Sequence, residues 1–266
     1  MIEDAGPAGW TVERAVTELL DRETGRRAGG RLTDRWTELD LPTAYRVQDA
    51  LVRRKVESGE TIVGVKLGLT SRAKQERMGI ASPLTAWLTD VMVLPEGEPI
   101  PLGSLIHPRV EPEIVFVLGE RLAGPGVTAA SALSAVAAVH AGFEVIDSRY
   151  TDFSFALPDV VADNASSSRF LVSASGLPPE RLDLAAEECR LAIDGKVVDR
   201  ATGAAVQGHP AEALALAANA LSERGIALEA GWTVLTGGLT DAVFAEPGRH
   251  ISAAFTHLGS LTVTGA

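Results

Sequence analysis

LIHPRVEPEIVFVLG (residues 105–119) and GFEVIDSR (residues 142–149) set Glu111, Glu113 and Glu144 into runs whose other residues suit buried strands. Residues two apart on a strand point to the same face. Glu111 and Glu113 therefore project together, and the chain continues into the apolar segment Ile114–Leu118. A carboxylate pair facing a core is costly unless another charge compensates it. A divalent cation held by oxygen ligands does so, and Glu144, in the next strand-like run, is the natural third ligand. The residues alone leave two readings open: a three-carboxylate metal site, or solvated side chains on the open face of an antiparallel sheet.

The 266 residues suffice for one large domain, or for a catalytic domain with a smaller appendage. Hydrophobic residues make up 46% and charged residues 22%, which suits a globular protein. A net charge of −11 argues against a surface that tracks phosphates, so nucleic acid is not an expected partner. The single cysteine, Cys189, excludes an intramolecular disulfide framework and reads as a small core residue. The N-terminus is acidic where a secretory signal is basic, and no segment approaches the ~20 apolar residues of a membrane span. A cytoplasmic location without membrane contact is expected.

Two amphipathic helices are expected in residues 1–60, over 10–27 and from Leu41 to Gly59, as a packing or oligomer-contact segment without chemistry of its own. From residue 61 the texture changes. TIVGVKLGLT (61–70) reads as a strand carrying Lys66, and a lysine on a strand is ordinarily solvated. A short helix over SRAKQERMG (71–79), a loop over 80–90 and a brief strand around 91–93 follow. Thr128 is a good cap for a helix over TAASALSAVAAVH (128–140), which Gly142 ends. The segment 150–170 mixes Asp159, Asp163, Asn164 and three consecutive serines with apolar residues, as loops lining polar cavities do, although an ordinary surface loop has the same composition. Asp194-Gly195 is a two-residue hairpin turn, 207–225 an amphipathic helix, and 232–238, 250–255 and 260–265 are strands. No dinucleotide fingerprint, P-loop, HExxH or GxSxG occurs, and the five histidines lack metal-motif spacing.

Taken in order, GVKLGLTS (64–71), LTD (88–90), HPRVEPEIVFVLG (107–119), FEVIDSR (143–149), VADNAS (161–166) and GHP (208–210) resemble the 2-keto-4-pentenoate hydratase and 4-oxalocrotonate decarboxylase family of the fumarylacetoacetate hydrolase fold. The resemblance spans most of the chain from Gly64 onward. It implies an α+β protein with a mainly antiparallel β-roll core over 61–266 and peripheral helices. It further implies Mg²⁺ or Mn²⁺ on Glu111, Glu113 and Glu144, with Lys66 facing the active site rather than solvent. Ser166 would lie by the substrate, a small 2-keto acid, in a pocket including Leu84, Leu88, Asp90, Phe153 and Asp163. Relatives of this kind assemble, so a homo-oligomer is expected, and a complex with a partner hydratase is a further expectation.

Hydratases of this family resemble one another in carrying an aspartate just after the proline of the 80s loop. Here that place is Leu84, in Ser82-Pro83-Leu84-Thr85-Ala86-Trp87. Without the acid, water addition lacks its obvious general acid–base group. The SPLxxxLTD context, TSRAKQERMG and RYxxFxxxLPDVVADNAS are similar to the decarboxylase branch, with one departure at Ala86, where glycine is expected. The resemblance thus implies decarboxylation of a 2-oxo-3-enedioate to a 2-hydroxy-2,4-dienoate. The alternative is hydration of 2-hydroxypenta-2,4-dienoate, and a third reading is a non-catalytic partner subunit.

Overall fold

A computed structural model describes residues 9–71, 75–76 and 83–266 of the chain. The helix expected over 71–79 lies mostly outside the described residues; of its described part, Gln75 and Glu76 are helical.

Two helices open the chain, α1 (Val12–Thr24) and α2 (Leu41–Glu57). Thr11 caps α1 by accepting the Arg14 N–H, and Asp40 caps α2 by accepting the Thr43 N–H at 2.8 Å. Both bury an apolar stripe, and their residues join the same continuous core as the sheets. Gln48 of α2, fully buried, donates to the carbonyls of Thr85 and Val161, which ties the helix to the segments around the site.

The larger sheet is built from β1 (Ile62–Gly68), β2 (Leu84–Thr89), β3 (Arg109–Leu118), β4 (Val136–Ile146), β5 (Ser167–Val172), β8 (Thr233–Leu235) and β9 (Val243–Phe244). Its order is β2-β1-β8-β3-β4-β5, with β9 paired to β3. Among the described strands only β1 and β8 pair in parallel. The second sheet, β11-β10-β6-β7, is antiparallel throughout and uses β6 (Glu188–Ile193), β7 (Lys196–Thr202), β10 (His250–Phe255) and β11 (Ser260–Thr264). The β6–β7 hairpin turns at Asp194 and Gly195, both with positive φ (49° and 79°), as a two-residue turn requires. With α3 (Ala129–Ser134), α4 (Leu157–Ala162) and α5 (Pro210–Glu223) placed around the sheets, the protein is α+β. No helix among the described residues is long and apolar enough to cross a membrane.

Three expected elements take other forms. The helix expected over 128–140 stops at Ser134, and β4 begins at Val136 and pairs with β3 from Leu118↔Val136 to Arg109↔Ile146. Alanine favours helix locally, but a ladder this long outweighs that preference. Gly142 sits mid-strand, where a Cβ would fall 2.4 Å from Val115 Cγ2. The loop expected over 80–90 is in its described part strand β2, and the strand expected at 91–93 is instead a 3₁₀ turn over Asp90–Met92.

Candidate metal centre and active site

Strand alternation and register build the site. Glu111, Glu113 and Val115 share one face of β3, and Glu111 lies opposite Glu144 on β4. Lys66 pairs with Leu235 on β8, which pairs with Val115 on β3. Below the glutamates, Val115, Leu235 and Leu88 form a small apolar cluster with Met92 and Phe170. The carboxylates therefore rest on a dry floor. One oxygen from each of Glu111, Glu113 and Glu144 lies within 4.8 Å of the others.

This arrangement is not a solvated sheet face. Glu113 is 0% exposed and Glu144 1% exposed. Lys66, 4% exposed, bridges both oxygens of Glu144 at 2.9 and 3.0 Å. Ser167 Oγ donates to Glu144 Oε1 at 3.1 Å. Gly237 N donates to Glu113 Oε2 at 2.7 Å, while Oε1 is buried without a hydrogen-bond partner. Burial first, then the charges of Glu144 and Glu111, push the Glu113 carboxyl well above the usual carboxylate range. Hard oxygen donors, a charge excess over the lone ammonium and an orphaned buried oxygen together fit a divalent cation.

Above the glutamates lies a cavity of about 700 Å³ lined, among the described residues, by Lys66, Leu84, Glu111, Phe153 and Ser166 of the expected set. Leu84, Val160 and Ala165 make an apolar stretch of its wall, and Arg109, Gly238 and Asp241 also reach it. Ser166 arrives by an unusual path. Asn164, Ala165 and Ser166 all have positive φ (47°, 49° and 60°), which is costly for residues with a Cβ. Two devices hold this turn. Asn164 pairs with the backbone of Trp87 on β2, accepting and donating at 2.9 Å. Buried Asp163 takes an ion pair from Arg149 and lies 3.3 Å from Ser166 Oγ.

Three expected pocket residues stand elsewhere. Asp163 is fully buried behind Ser166, where it holds Arg149 and the turn rather than lining the cavity. Leu88 belongs to the apolar floor, two pairs further along β2 from the Lys66↔Ala86 pair. Asp90 is exposed past the end of β2 and accepts the Thr61 N–H at 2.9 Å. The physical reason for both is strand length: Leu84 to Asp90 spans roughly 20 Å of extended chain, more than one small cavity reaches. Ala86 pairs with Lys66 and is itself buried.

Sequence reasoning overlooked Gly237 and Gly238, read only as the end of a strand. Gly237 (φ +114°) passes so close to Thr70 that a Cβ would meet its Oγ1 at 2.1 Å, and a Cβ on Gly238 would fall 2.1 Å from Glu111 Oε2. Consecutive glycines directly after a strand were the available signal. Asp147 was overlooked too. It accepts the N–H groups of Ile106 and His107 at 2.8 Å, which fixes the entry into β3.

Comparison with known proteins agrees with this geometry. The fumarylacetoacetate (FAA) hydrolase C-terminal family model matches residues 61–264. A 4-oxalocrotonate decarboxylase from Pseudomonas sp is 42% identical over 250 residues, 93% of this chain and 96% of that protein. A 2-hydroxyhexa-2,4-dienoate hydratase from Comamonas testosteroni is 37% identical over 95% of this chain and 96% of its own. The solved 4-oxalocrotonate decarboxylase from Pseudomonas putida G7, complexed with magnesium and adipate, superimposes with a TM-score of 0.93 at 38% identity, covering 97% of this chain and 99% of that one. Fold, sequence and buried carboxylate cluster converge, and the chain belongs to the fumarylacetoacetate hydrolase family.

Proposed function

We propose that this protein is a divalent-metal-dependent decarboxylase that converts a 2-oxo-3-enedioate of the 2-oxo-3-hexenedioate type into a 2-hydroxy-2,4-dienoate and CO₂, in the meta-cleavage breakdown of aromatic compounds. The observation that carries the reading is Leu84. It lines the cavity as a buried apolar side chain at the place where the hydratase pattern has an acid. The decarboxylase relatives, and the adipate held by one of them, support the substrate class, since adipate is a six-carbon dicarboxylate.

Glu111, Glu113 and Glu144 would hold the cation, Mg²⁺ or Mn²⁺, which when bound supplies Lewis-acid stabilisation of negative charge on the 2-keto oxygen. The chain's own residues do the rest. The apolar wall of Leu84, Val160 and Ala165 gives the departing carboxylate no hydrogen-bond donor, so its charge is poorly solvated before the bond breaks. The bond from that carboxylate to its neighbouring carbon then breaks, CO₂ leaves, and the electron pair moves through the conjugated chain into a dienolate. Lys66 faces this end with a buried ammonium, which stabilises the enolate charge and supplies the proton that completes the enol. Ser166, held by its left-handed turn, offers a hydroxyl to the substrate.

One feature favours the hydratase alternative: Asp241 is an acid on the cavity wall. Incubating the Mg²⁺-loaded protein with 2-oxo-3-hexenedioate separates the two. CO₂ release with formation of 2-hydroxypenta-2,4-dienoate is expected. No CO₂, together with hydration of 2-hydroxypenta-2,4-dienoate, gives the hydratase reading instead.

A further inference from the structure

Arg109 takes no part in the chemistry assigned so far, yet it is built like a binding group. It lies on the same face of β3 as Glu111, two residues away, a Cα separation of about 7 Å, and it lines the same cavity. Its Cζ sits 4.2 Å from the ring centroid of Phe153 and 4.3 Å from that of Phe244. Phe244 is 53% exposed, an unusual place for a phenylalanine that does no more than fill space. Phe153 is held in a left-handed conformation (φ 54°) with His107 stacked 4.7 Å from it. His107 is in turn pinned through its N–H to Asp147.

Two rings against one guanidinium restrict its approach to water and leave its N–H edge as the donor surface. That edge is unused. Arg109 Nε is buried with no acceptor among the described residues, and no described residue accepts a hydrogen bond from the side chain or forms an ion pair with it. A planar donor fork fixed between rings, beside a site for 2-oxo acids, is suited to a carboxylate.

We propose that Arg109 anchors the carboxylate that the substrate keeps, the one adjoining the 2-keto group. The identity of the substrate's two ends rests on the decarboxylase reading above. The division of labour is chemically consistent with it. The retained end sits at Arg109 and the glutamates, where charge is welcome, and the departing end is left to the apolar stretch of Leu84, Val160 and Ala165. An arginine on the departing carboxylate would stabilise the ground state and oppose the reaction. Arg109 is thus a binding and specificity residue.

The test uses 2-oxopentanoate, which has the retained end and lacks the departing carboxylate. Its binding to the full chain loaded with Mn²⁺ is measured by calorimetry for the wild type, Arg109→Met and Arg109→Lys, and Mn²⁺ binding is measured separately. Loss of a charge-assisted fork should weaken 2-oxopentanoate binding about 10- to 100-fold in Arg109→Met, with Mn²⁺ affinity not weakened and Arg109→Lys partly restored. The proposal is overturned if Arg109→Met binds 2-oxopentanoate within twofold of the wild type, if it loses Mn²⁺ as well, or if the wild type does not bind the probe. CO₂ release is scored apart. Its absence alongside the expected binding loss defeats the decarboxylase reading and leaves the anchor standing, and the reverse pattern does the opposite.

Discussion

Replacing Glu113 by glutamine should invert the order of stability between metal-free and metal-loaded protein. Glu113 is fully buried, with oxygens of Glu111 and Glu144 within 4.8 Å. At an effective dielectric constant of ~20, each such like-charge pair costs about 3.5 kcal/mol. Metal-free protein can relieve this by protonating the carboxyl, which burial and the neighbouring charges favour. Drawing that proton from pH 7 onto a group whose unfolded pKa is about 4.3 costs a similar ~3.7 kcal/mol. The amide escapes both costs. Its N–H₂ can face the two carboxylates, and its oxygen can still accept the N–H of Gly237 now bonded to Glu113. In EDTA at pH 7, Glu113→Gln should gain about 2–3.5 kcal/mol, or roughly 5–10 °C in Tm for a chain of this size.

The sign follows from the raised folded-state pKa. The Glu113 contribution to stability is fully present below the unfolded value and is lost as pH rises through the folded one, so the advantage of the variant disappears towards pH 4. A cation reverses the order. At a thousandfold excess over its Kd it stabilises the wild type by about 4.1 kcal/mol, more than the variant's metal-free advantage, and the variant, short of one anionic ligand, should gain little. Thermal melts of both proteins in EDTA and in Mg²⁺ or Mn²⁺ measure all four states. A variant that melts below the wild type in EDTA, or that gains as much from metal, refutes the claim that Glu113 is held charged for a cation.

Two further outcomes follow from the same region. Gly238→Ala places a methyl where Glu111 Oε2 now lies and should lower metal affinity about 10- to 100-fold by calorimetry, with little change in the metal-free melt because a flexible carboxylate can move aside. Asp163 is held up to about 6 by burial, partly offset by Arg149. Activity at saturating metal should therefore fall as pH drops through about 6, when protonation ends its pairing with Arg149. This group favours the folded state at acid pH, so the protein should stay folded while it loses activity. If Asp163→Asn keeps the same acid limb, another group is responsible.

The carboxylate cluster was legible because a period of two is unambiguous. Glu111 and Glu113 had to share a face, and the β3–β4 register put Glu144 opposite. Burial was not legible. A lysine on a strand reads as solvated, and Lys66 is sequestered only because the larger sheet brings β1 to a residue 78 positions away on β4. Local propensity misled at 128–140, where alanines favour helix but β3 supplies the partner for a strand. Motif resemblance misled in another way. LTD (88–90) lies in the right segment, but a motif does not say where along a strand the cavity ends, and Leu88 and Asp90 lie beyond it. Gly237 and Gly238 act by having no side chain, so nothing in their own chemistry pointed to a site.

Charge accounting connects the ligands to the choice of reaction. Three carboxylates and one ammonium leave the buried cluster at a formal −2, which a divalent cation cancels and a monovalent one does not. An incoming dicarboxylate restores the excess, and the unpaired guanidinium of Arg109 can offset only one of its charges. The other lies against Leu84, where an acid would make matters worse and an apolar wall offers no donor. In the proposed reaction, departure as neutral CO₂ would relieve that end, and the charge left behind would move towards Lys66 and the glutamate site, where it would be best stabilised. Hydration leaves no such imbalance to relieve: its dienoate substrate has one carboxylate, for which the glutamate site with its cation and Arg109 already suffice. It needs instead an acid–base group beside the double bond; Leu84 cannot serve, which leaves that role to Asp241 on the cavity wall. The distribution of charge along the cavity thus favours a substrate with two carboxylates and a reaction that discards one of them.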